Sequence, residues 1–451
     1  MKRKAYEELL NWHKRADRKP LIVMGARQVG KTWLMEEFAN NEYPGNFVIV
    51  NLMKNESLRR RFEDVDLDAE SVIDLIQLAS GKRIVPGKTL LIIDEIQESL
   101  RALTALKYLQ EEMPDLAVMV AGSLLGLAVK RENDEDDDEG KKTSFPVGKV
   151  DYLDVYPMSF EEFLMAVGEE VKLDYLERGK WKALESVHAE LQELVRRYYF
   201  IGGMPEAVKK YAEERDFSAV RRVQKRILRD YDEDFAKHAK PRLLMKIRLL
   251  WNSIPSQLAK ENKKFIYTAL KAGARAREYE VALEWLKDAG LVRIVKNVSL
   301  PKMPLKSFEE FGSFKLYIHD VGLLAAMCDL SVPVLLNKSD IFTFAKGALT
   351  EQYVLEEMVA LGMHPYYWSP DNAKAEIEFL VQGESAIFPV EAKAEVNLRA
   401  QSLKSYIERY DPPAGIRISM QKRTTGKSVE DIPLYAVPEV SRIIGNLQMT
   451  R

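Results

Sequence analysis

A single cysteine, Cys328, occurs in the whole chain, so no internal disulfide can form and a reducing compartment fits. Charge of one sign is also missing. The 67 Lys and Arg stand against 69 Asp and Glu, a formal −2, which leaves no whole-protein field to draw in nucleic acid. No apolar run approaches the roughly 18 residues that a membrane-spanning helix needs. The basic start, Met1-Lys2-Arg3-Lys4, lacks the apolar segment that follows such a start in a signal peptide. Five histidines (His13, His188, His238, His319 and His364) are scattered without metal-ligand spacing, and no Gly-x-Ser-x-Gly element supports a serine hydrolase. These absences predict a soluble, cytoplasmic protein with no membrane partner. What is present is size: 451 residues, 46% of them hydrophobic, enough for roughly three domains of about 150 residues.

The most informative segment is Gly25-Ala26-Arg27-Gln28-Val29-Gly30-Lys31-Thr32. It follows an apolar run, Leu21-Ile22-Val23-Met24, and precedes a helix-like stretch starting at Trp33. Strand, Gly-rich loop and helix with the spacing G-x-x-x-x-G-K-T describe a phosphate-binding loop. The two glycines let backbone approach an anion without a Cβ in the way, and the loop amides and the helix N-terminus then face it. Lys31 can reach the β- and γ-phosphates, and Thr32 can ligate Mg2+. ATP and Mg2+ are therefore the expected cofactors.

A second buried strand, Thr89-Leu90-Leu91-Ile92-Ile93, ends in Asp94-Glu95. Its continuous apolar run suits a parallel strand covered on both faces, and its C-terminal end is where open α/β sheets bind ligands. Asp94 is expected to hold Mg2+, and Glu95 to orient and polarise the attacking water. A third strand, Leu116–Val120, leads to Ala121-Gly122-Ser123. Ser123 reads as a γ-phosphate sensor; the plainer alternative is a helix N-cap. With a strand at Phe47–Val50 and helical patterns near Ser71–Ala79 and Arg101–Glu111, the alternation predicts a doubly wound parallel sheet.

These segments, with Tyr156-Pro157-Met158-Ser159-Phe160-Glu161-Glu162-Phe163, Gly202-Gly203-Met204-Pro205-Glu206 and Phe314–Leu324, resemble bacterial and archaeal AAA+ ATPases that carry a C-terminal domain long catalogued as of unknown function. The resemblance covers nearly the whole chain. It implies ATP binding and hydrolysis; AAA+ relatives often form rings, which leaves a homo-oligomer open, but this chain shows no clear trans finger. Where the family often has Gly-Arg before the Tyr-Pro segment, this chain has Gly148-Lys149, which keeps a positive charge without the guanidinium fork. An arginine finger is therefore not assigned there.

Beyond the ATPase, Glu132–Gly140 is a self-repelling acidic insert, read as a solvated loop. Residues 159–239 read as a helical lid or linker, with helices such as Lys182–Tyr199 and Ala219–Phe235. Lys240–Lys306 holds fifteen Lys and Arg against five Asp and Glu. Within it, Phe265–Leu270 reads as a helix, Ala272-Gly273-Ala274 as a turn, Arg275–Ala289 as an amphipathic helix ending at Gly290, and Leu291–Val295 as a strand. That order is a winged helix, and its basic charge is the footprint expected for duplex DNA, with Lys271, Arg275 and Arg277 as contacts. Domain packing with solvated charge is the competing reading. Aromatic stacking residues are not read as interleaved with the basic ones, which disfavours single-strand binding.

From about Phe344, a helix (Gly347–Met358), strands Tyr366–Trp368, Ile377–Val381 and Ala386–Ala394, a helix Leu398–Tyr410, and strands Ile416–Ser419 and Leu434–Val437 follow. This order resembles the PD-(D/E)XK nuclease fold. By that resemblance Glu351, Glu378, Glu391 and Lys393 form a nuclease site, with the strand carboxylates holding Mg2+ and the lysine stabilising charge or positioning water. The usual Asp is Glu378 here, a competent oxygen ligand one methylene longer. E-x-K alone arises on any strand of alternating charge; its weight comes from Glu351 and Glu378 upstream.

The expected fold class is α/β: a P-loop AAA+ doubly wound parallel sheet (1–158), a helical lid (159–239), a winged helix (240–330) and a small restriction-endonuclease-like α/β domain (340–451). The expected function is ATP hydrolysis coupled to action on DNA. The alternatives are a nucleotide-dependent switch or scaffold that binds a protein partner, with an inactive nuclease-like domain, and an ATP-gated nuclease.

Overall fold

A computed structural model describes residues 1–122, 145–260, 263–333, 343–370, 376–394 and 401–449. The chain divides into two compact units: Lys2–Tyr156 with Asp288–Leu291, and Pro157–Lys287 with Val292–Arg451.

The first unit is an α/β layer. Strands β1 (Leu21–Met24), β2 (Phe47–Asn51), β3 (Leu90–Asp94), β4 (Ala117–Ala121) and β5 (Asp151–Asp154) form a sheet in the order β2-β3-β4-β1-β5. All its pairings are parallel. β3 and β4 are buried at every residue, as continuous apolar runs between two helical layers must be. Helices Lys31–Glu42, Glu56–Asp64, Ala69–Ser80 and Leu100–Glu112 cover the sheet. One cluster of Ile22, Val48, Leu91, Ile93, Val118 and Val120 with Leu58, Phe62, Ile76 and Leu106 makes the core. β1 lies between β4 and β5, so the loop leaving its C-terminal end emerges where the strand order turns back on itself.

The second unit begins with helices, among them Phe160–Val167, His188–Ile201, Pro205–Glu214, Phe217–His238 and Pro241–Leu258. It ends in an eight-stranded mixed sheet. β6 (Val292–Val298) and β7 (Glu309–Ile318) form an antiparallel hairpin. β8 (Tyr366–Trp368), β9 (Ile377–Gln382) and β10 (Ile387–Ala392) form an antiparallel meander. After helix Gln401–Tyr410 come β11 (Gly415–Ser419), parallel to β10, then β12 (Thr424–Thr425) and β13 (Val429–Pro433), parallel to β11. β6 joins β8 in parallel at Asn297 and Tyr367, so the hairpin is continuous with the C-terminal sheet in the order β12-β13-β11-β10-β9-β8-β6-β7. Val298, Leu305, Trp368, Ile377, Leu380, Leu403 and Tyr406 close a shared core.

Four segments differ from their sequence patterns. Phe265–Leu270 contains only a 3-10 turn, Tyr267–Ala269. Its start is drawn along the edge of β7, where the Phe265 amide donates to the Phe314 carbonyl at 2.7 Å and the two rings stack. The helix expected from Arg275 begins at Glu280, after a 3-10 turn at Ala276–Glu278, because burial of Tyr279 fixes the chain there. Leu434–Val437 is not a strand. β13 ends at Pro433, which has no amide to extend a ladder, and a 3-10 turn Leu434–Ala436 follows. The patterned stretch Lys182–Tyr199 is also broken, into Trp181–Leu184, a 3-10 turn Glu185–Val187 and His188–Ile201. Helix Leu398–Tyr410 is described from Gln401 onward.

The segments 158–163, 202–206 and 319–322 meet in the second unit. Ser159 and Glu162 close a capping box on helix Phe160–Val167, and Glu357 accepts from the Phe160 amide at 2.8 Å. Asp320 accepts from the Gly203 amide at 2.6 Å and the Leu323 amide at 2.8 Å. A Cβ on Gly203 would stand 2.1 Å from the Met158 carbonyl oxygen. His319 is buried beyond the end of β7, 3.2 Å from the Tyr231 hydroxyl. These motif residues hold the unit together through buried hydrogen bonds.

Candidate functional site

The phosphate-loop residues come together at the C-terminal end of β1. Gly25 has φ +138°, and a Cβ there would lie 2.2 Å from the Val155 carbonyl oxygen. Gln28 also adopts positive φ, at +68°, a strain that functional loops commonly carry. Gly30, at φ +92°, starts helix Lys31–Glu42 with no side-chain cap, which leaves its first amides for an anion. Ala26 and Val29 pack inward, while Arg27 and Gln28 are half-buried. Arg3 was read only as part of a basic start, yet it is 7% exposed. Its guanidinium donates to the carbonyls of Val29 at 2.9 Å and Tyr156 at 2.7 Å, clamping the loop from beneath. No local pattern around Arg3 announces that role.

Lys31 folds back over the loop. Its Nζ donates to the Gly25 and Ala26 carbonyls, both at 2.8 Å. Burial pulls its amine down to about 8, against the opposing pull of Glu95 and Asp94. A phosphate oxygen is a stronger partner for an ammonium than a neutral carbonyl, so the amine is set to transfer to an anion.

Asp94 ends β3 and is nearly buried. Thr32 Oγ1 donates to Asp94 Oδ2 at 3.2 Å, and Asn51 Nδ2 donates to the same oxygen at 3.0 Å. Burial, then the charge of Glu95, raises the Asp94 carboxyl above its ordinary value, while these hydrogen bonds oppose the rise. Asn51 is opposite Asp94 in the β2–β3 register. A polar residue closing an apolar strand is its only signal in the sequence. Glu95 has φ +54° and accepts from Gln97 Nε2. Gln97 is fixed in turn by Gly122, where a Cβ would meet Gln97 Oε1 at 2.4 Å. Ser123 lies outside the described residues.

An all-oxygen pair, the Thr32 hydroxyl and the Asp94 carboxylate, suits Mg2+, which keeps waters and takes phosphate oxygens for the rest of its shell. Among the described residues no group of three or more His, Cys, Asp or Glu is placed to hold a metal ion, and a site shared with phosphates needs none. Lys149 is elsewhere. β1 and β5 run in register from Leu21–Asp151 to Met24–Asp154, so Lys149 precedes the sheet edge opposite the loop. There it pairs with Glu111 at 2.9 Å.

In the second unit, Lys271, Arg275 and Arg277 are exposed on the segment between Tyr267 and Tyr279, with no ion pair to any described residue. The rings of Tyr267 and Tyr279 lie 6.1 Å apart and hold the ends of that segment together.

Glu351, Glu378, Glu391 and Lys393 gather in one buried network. Val390 pairs with Phe379 in the β9–β10 register, which sets Glu391 beside Glu378 on neighbouring strands. Lys393 Nζ donates to Glu378 Oε1 at 2.8 Å and lies 3.2 Å from Glu391 Oε1. The second oxygen of each carboxylate is buried without a hydrogen bond. Burial raises Glu378 to about 7, against Lys393 and with the charges of Glu351 and Glu391. Lys393 itself is held above the ordinary lysine value: burial would lower it, but its two carboxylates outweigh that.

Glu351, on helix Thr343–Ala360, faces other partners. Lys263 binds Oε1; Tyr317 donates to Oε2 at 3.1 Å, with Lys315 at 3.8 Å from the same oxygen. Burial alone would raise Glu351, but Lys263 and Lys315 hold it below its usual value. Lys315 is fully buried, paired also with Glu376 and set 4.9 Å from the Tyr367 ring. The sequence reading missed Lys263, Lys315, Tyr317 and Glu376. Lys315 and Tyr317 lie on β7 and Lys263 on the segment before it, and these three reach Glu351; Glu376, just before β9, joins through Lys315.

Three stretches of the chain match known domain families. Residues 17–164 match the AAA domain family. Residues 192–333 match a domain of unknown function (DUF8612), and residues 346–437 match another (DUF4143). No curated protein matches the chain. Solved structures similar to it include the Walker-type ATPase of Pyrococcus abyssi, at 15% identity and TM-score 0.43, with 72% of this chain and 95% of that one covered. The ORC1 protein of Aeropyrum pernix in complex with DNA matches at 14% identity and TM-score 0.27, covering 72% and 90%. A signal-transduction ATPase with a tetratricopeptide repeat sensor from Pyrococcus horikoshii matches at 15% identity and TM-score 0.24, covering 80% of this chain and 50% of that one. No described helix is long and apolar enough to cross a membrane. The phosphate loop, the Asp94 strand end and all five parallel strands fall within residues 17–164, which match the AAA domain family and have a P-loop α/β fold.

Proposed function

We propose that the protein binds and hydrolyses ATP with Mg2+, and that turnover is coupled to a winged-helix module (240–330) and a nuclease-like module (340–451) acting on duplex DNA, with 159–239 as a helical lid or linker. The observation that carries the ATPase reading is Thr32 Oγ1 on Asp94 Oδ2 at 3.2 Å beside buried Lys31. Loop amides and Lys31 grip the phosphates, and Thr32 and Asp94 hold Mg2+. The bound ion supplies charge neutralisation at the β- and γ-phosphate oxygens. Glu95 orients the attacking water, and Gln97 orients Glu95. Ser123 is the proposed γ-phosphate sensor. The test is uptake of labelled ATP and steady-state hydrolysis by the full chain, with and without duplex DNA, beside Lys31→Ala. Equal uptake by both proteins would remove the reading. Turnover indifferent to DNA would remove its DNA part.

A second reading is favoured by one observation: Lys393 contacts both Glu378 and Glu391. In it the nuclease-like module is a folded scaffold that does not cut, and ATP occupancy switches its engagement with a protein partner. Cleavage of DNA or RNA by wild type in Mg2+, lost in Glu391→Ala, would reject it.

A further inference from the structure

Phe311 is the most exposed large apolar side chain among the described residues, 86% exposed, and it is held out by an ordered bulge. In the β6–β7 hairpin Lys296 pairs with Phe314 and the next residue, Asn297, pairs with Glu310. The step of one residue on β6 is a step of four on β7, so Phe311, Gly312 and Ser313 have no register partner on β6; the Phe311 ring stands out while Ser313 stays buried. Such bulges re-aim a side chain rather than merely interrupt pairing. This one is anchored on both sides of the ring by buried or half-buried groups. Asn297 Nδ2 donates to Glu310 Oε2 at 2.7 Å, and the Ser313 and Tyr367 hydroxyls share a hydrogen bond of 2.9 Å.

The surroundings fit nucleic acid. Lys296 Nζ lies 5.1 Å from the Phe311 ring centre, a cation beside an aromatic platform. The adjacent carboxylates are occupied: Glu309 by Lys296 and the Tyr366 hydroxyl, Glu310 by Asn297. Three residues after Phe311, Phe314 stacks on Phe265 at 5.3 Å and meets Tyr267 at 6.2 Å. Tyr267 opens the segment that exposes Lys271, Arg275 and Arg277. The strand that carries the aromatic tip is thus packed, through Phe314, against the start of the basic segment, and that segment lies in a stretch with fifteen cations against five anions over Lys240–Lys306. Phe311 itself falls just beyond that stretch.

We propose that Phe311 is a stacking finger for a nucleobase exposed at an unpaired or kinked step of DNA, while Lys271, Arg275 and Arg277 hold the flanking phosphates. The proposal rests on the DNA reading above and adds a structure preference to it: DNA with an unpaired base binds better than the same duplex fully paired, because stacking requires an open π-face.

The experiment uses the full chain and a short duplex with a bubble containing 2-aminopurine, beside its fully paired counterpart. Wild type is expected to favour the bubble and to quench the 2-aminopurine emission. Phe311→Ala is expected to weaken bubble binding by about tenfold or more, to abolish the quenching and to leave the slope of log affinity against log salt unchanged, since no phosphate contact is lost. Phe311→Trp should restore both. Phe311 is exposed, so these variants fold. Bubble binding by Phe311→Ala equal to wild type would overturn the finger while leaving the DNA reading standing. Absence of DNA binding by wild type would fail the DNA reading itself. Loss of a protein partner in Phe311→Ala with DNA binding intact would assign the ring to a protein interface and overturn the proposal.

Discussion

Lys31 Nζ donates to the Gly25 carbonyl at 2.8 Å, so the amine that would grip phosphate is held by its own loop. Because burial draws it down to about 8, ATP affinity should fall as pH rises through that value, approaching tenfold per pH unit where only the ammonium form binds. The stability sign is opposite. Between about 8 and the ordinary lysine value the unfolded chain binds the extra proton, so this group favours folding more as pH rises. Titrations of labelled ATP from neutral to alkaline pH check the first statement. An affinity flat across that range would show that the amine keeps its proton.

Gln97 donates to Glu95, which has φ +54°. Glu95→Gln should retain ATP and lose turnover by about 10²–10⁴, the range for a missing base. Gln97→Ala should lower kcat by less and leave KM alone, because it misaligns the carboxylate without touching the phosphates. A rise in KM in Gln97→Ala would place that residue in binding instead.

The phosphate loop could be read because its information is local: glycines, lysine and threonine within eight residues, between a strand and a helix. Asp94 was legible for the same reason. Asn51, Gln97 and Arg3 were not, since they reach the site through strand register or a distant clamp. The same contrast holds for Glu351. Its helix and the Glu391–Lys393 spacing were visible, but its lysine partners arrive only because the β6–β7 hairpin joins the last sheet at Asn297. The local misreadings at Phe265–Leu270 and Leu434–Val437 came from tertiary pulls: an aromatic stack on the edge strand, and a proline ending a ladder.

Asp320 accepts from two described amides and is fully buried. Asp320→Ala removes a helix cap and strands the Gly203 amide, so about 2–4 kcal/mol of stability should go. Burial raises its carboxyl to about 6, against amide hydrogen bonds led by Gly203. A raised acid contributes stability that is full below its unfolded value and lost as pH rises through about 6. Asp320→Asn should flatten that part of the profile. Urea melts at mildly acidic and mildly alkaline pH measure both, and an unchanged profile in Asp320→Asn would assign the slope to other groups.

Arg275 and Arg277 lie exposed without described ion partners. Replacing both by Ala should reduce the slope of log affinity against log salt for duplex DNA by about 2, and weaken all sequences alike. Such a result reports phosphate contacts. Unchanged slope and affinity would return the basic segment to a role in packing.

Lys393 holds Glu378 and Glu391 together from a position 36% exposed. Removing it leaves two buried carboxylates side by side without a counter-charge. Partial exposure softens the penalty, so Lys393→Ala should cost about 1–3 kcal/mol at mildly alkaline pH. The cost should shrink below about 7, because Glu378, already raised by burial and its neighbours, then takes a proton and ends the repulsion. Adding Glu378→Gln to Lys393→Ala should recover stability at alkaline pH, since a neutral amide no longer opposes Glu391. Melts of the single and double variants at two pH values make the comparison. A Lys393→Ala protein with the same deficit at both would mean that Glu378 does not titrate in this range and that the deficit is lost packing alone.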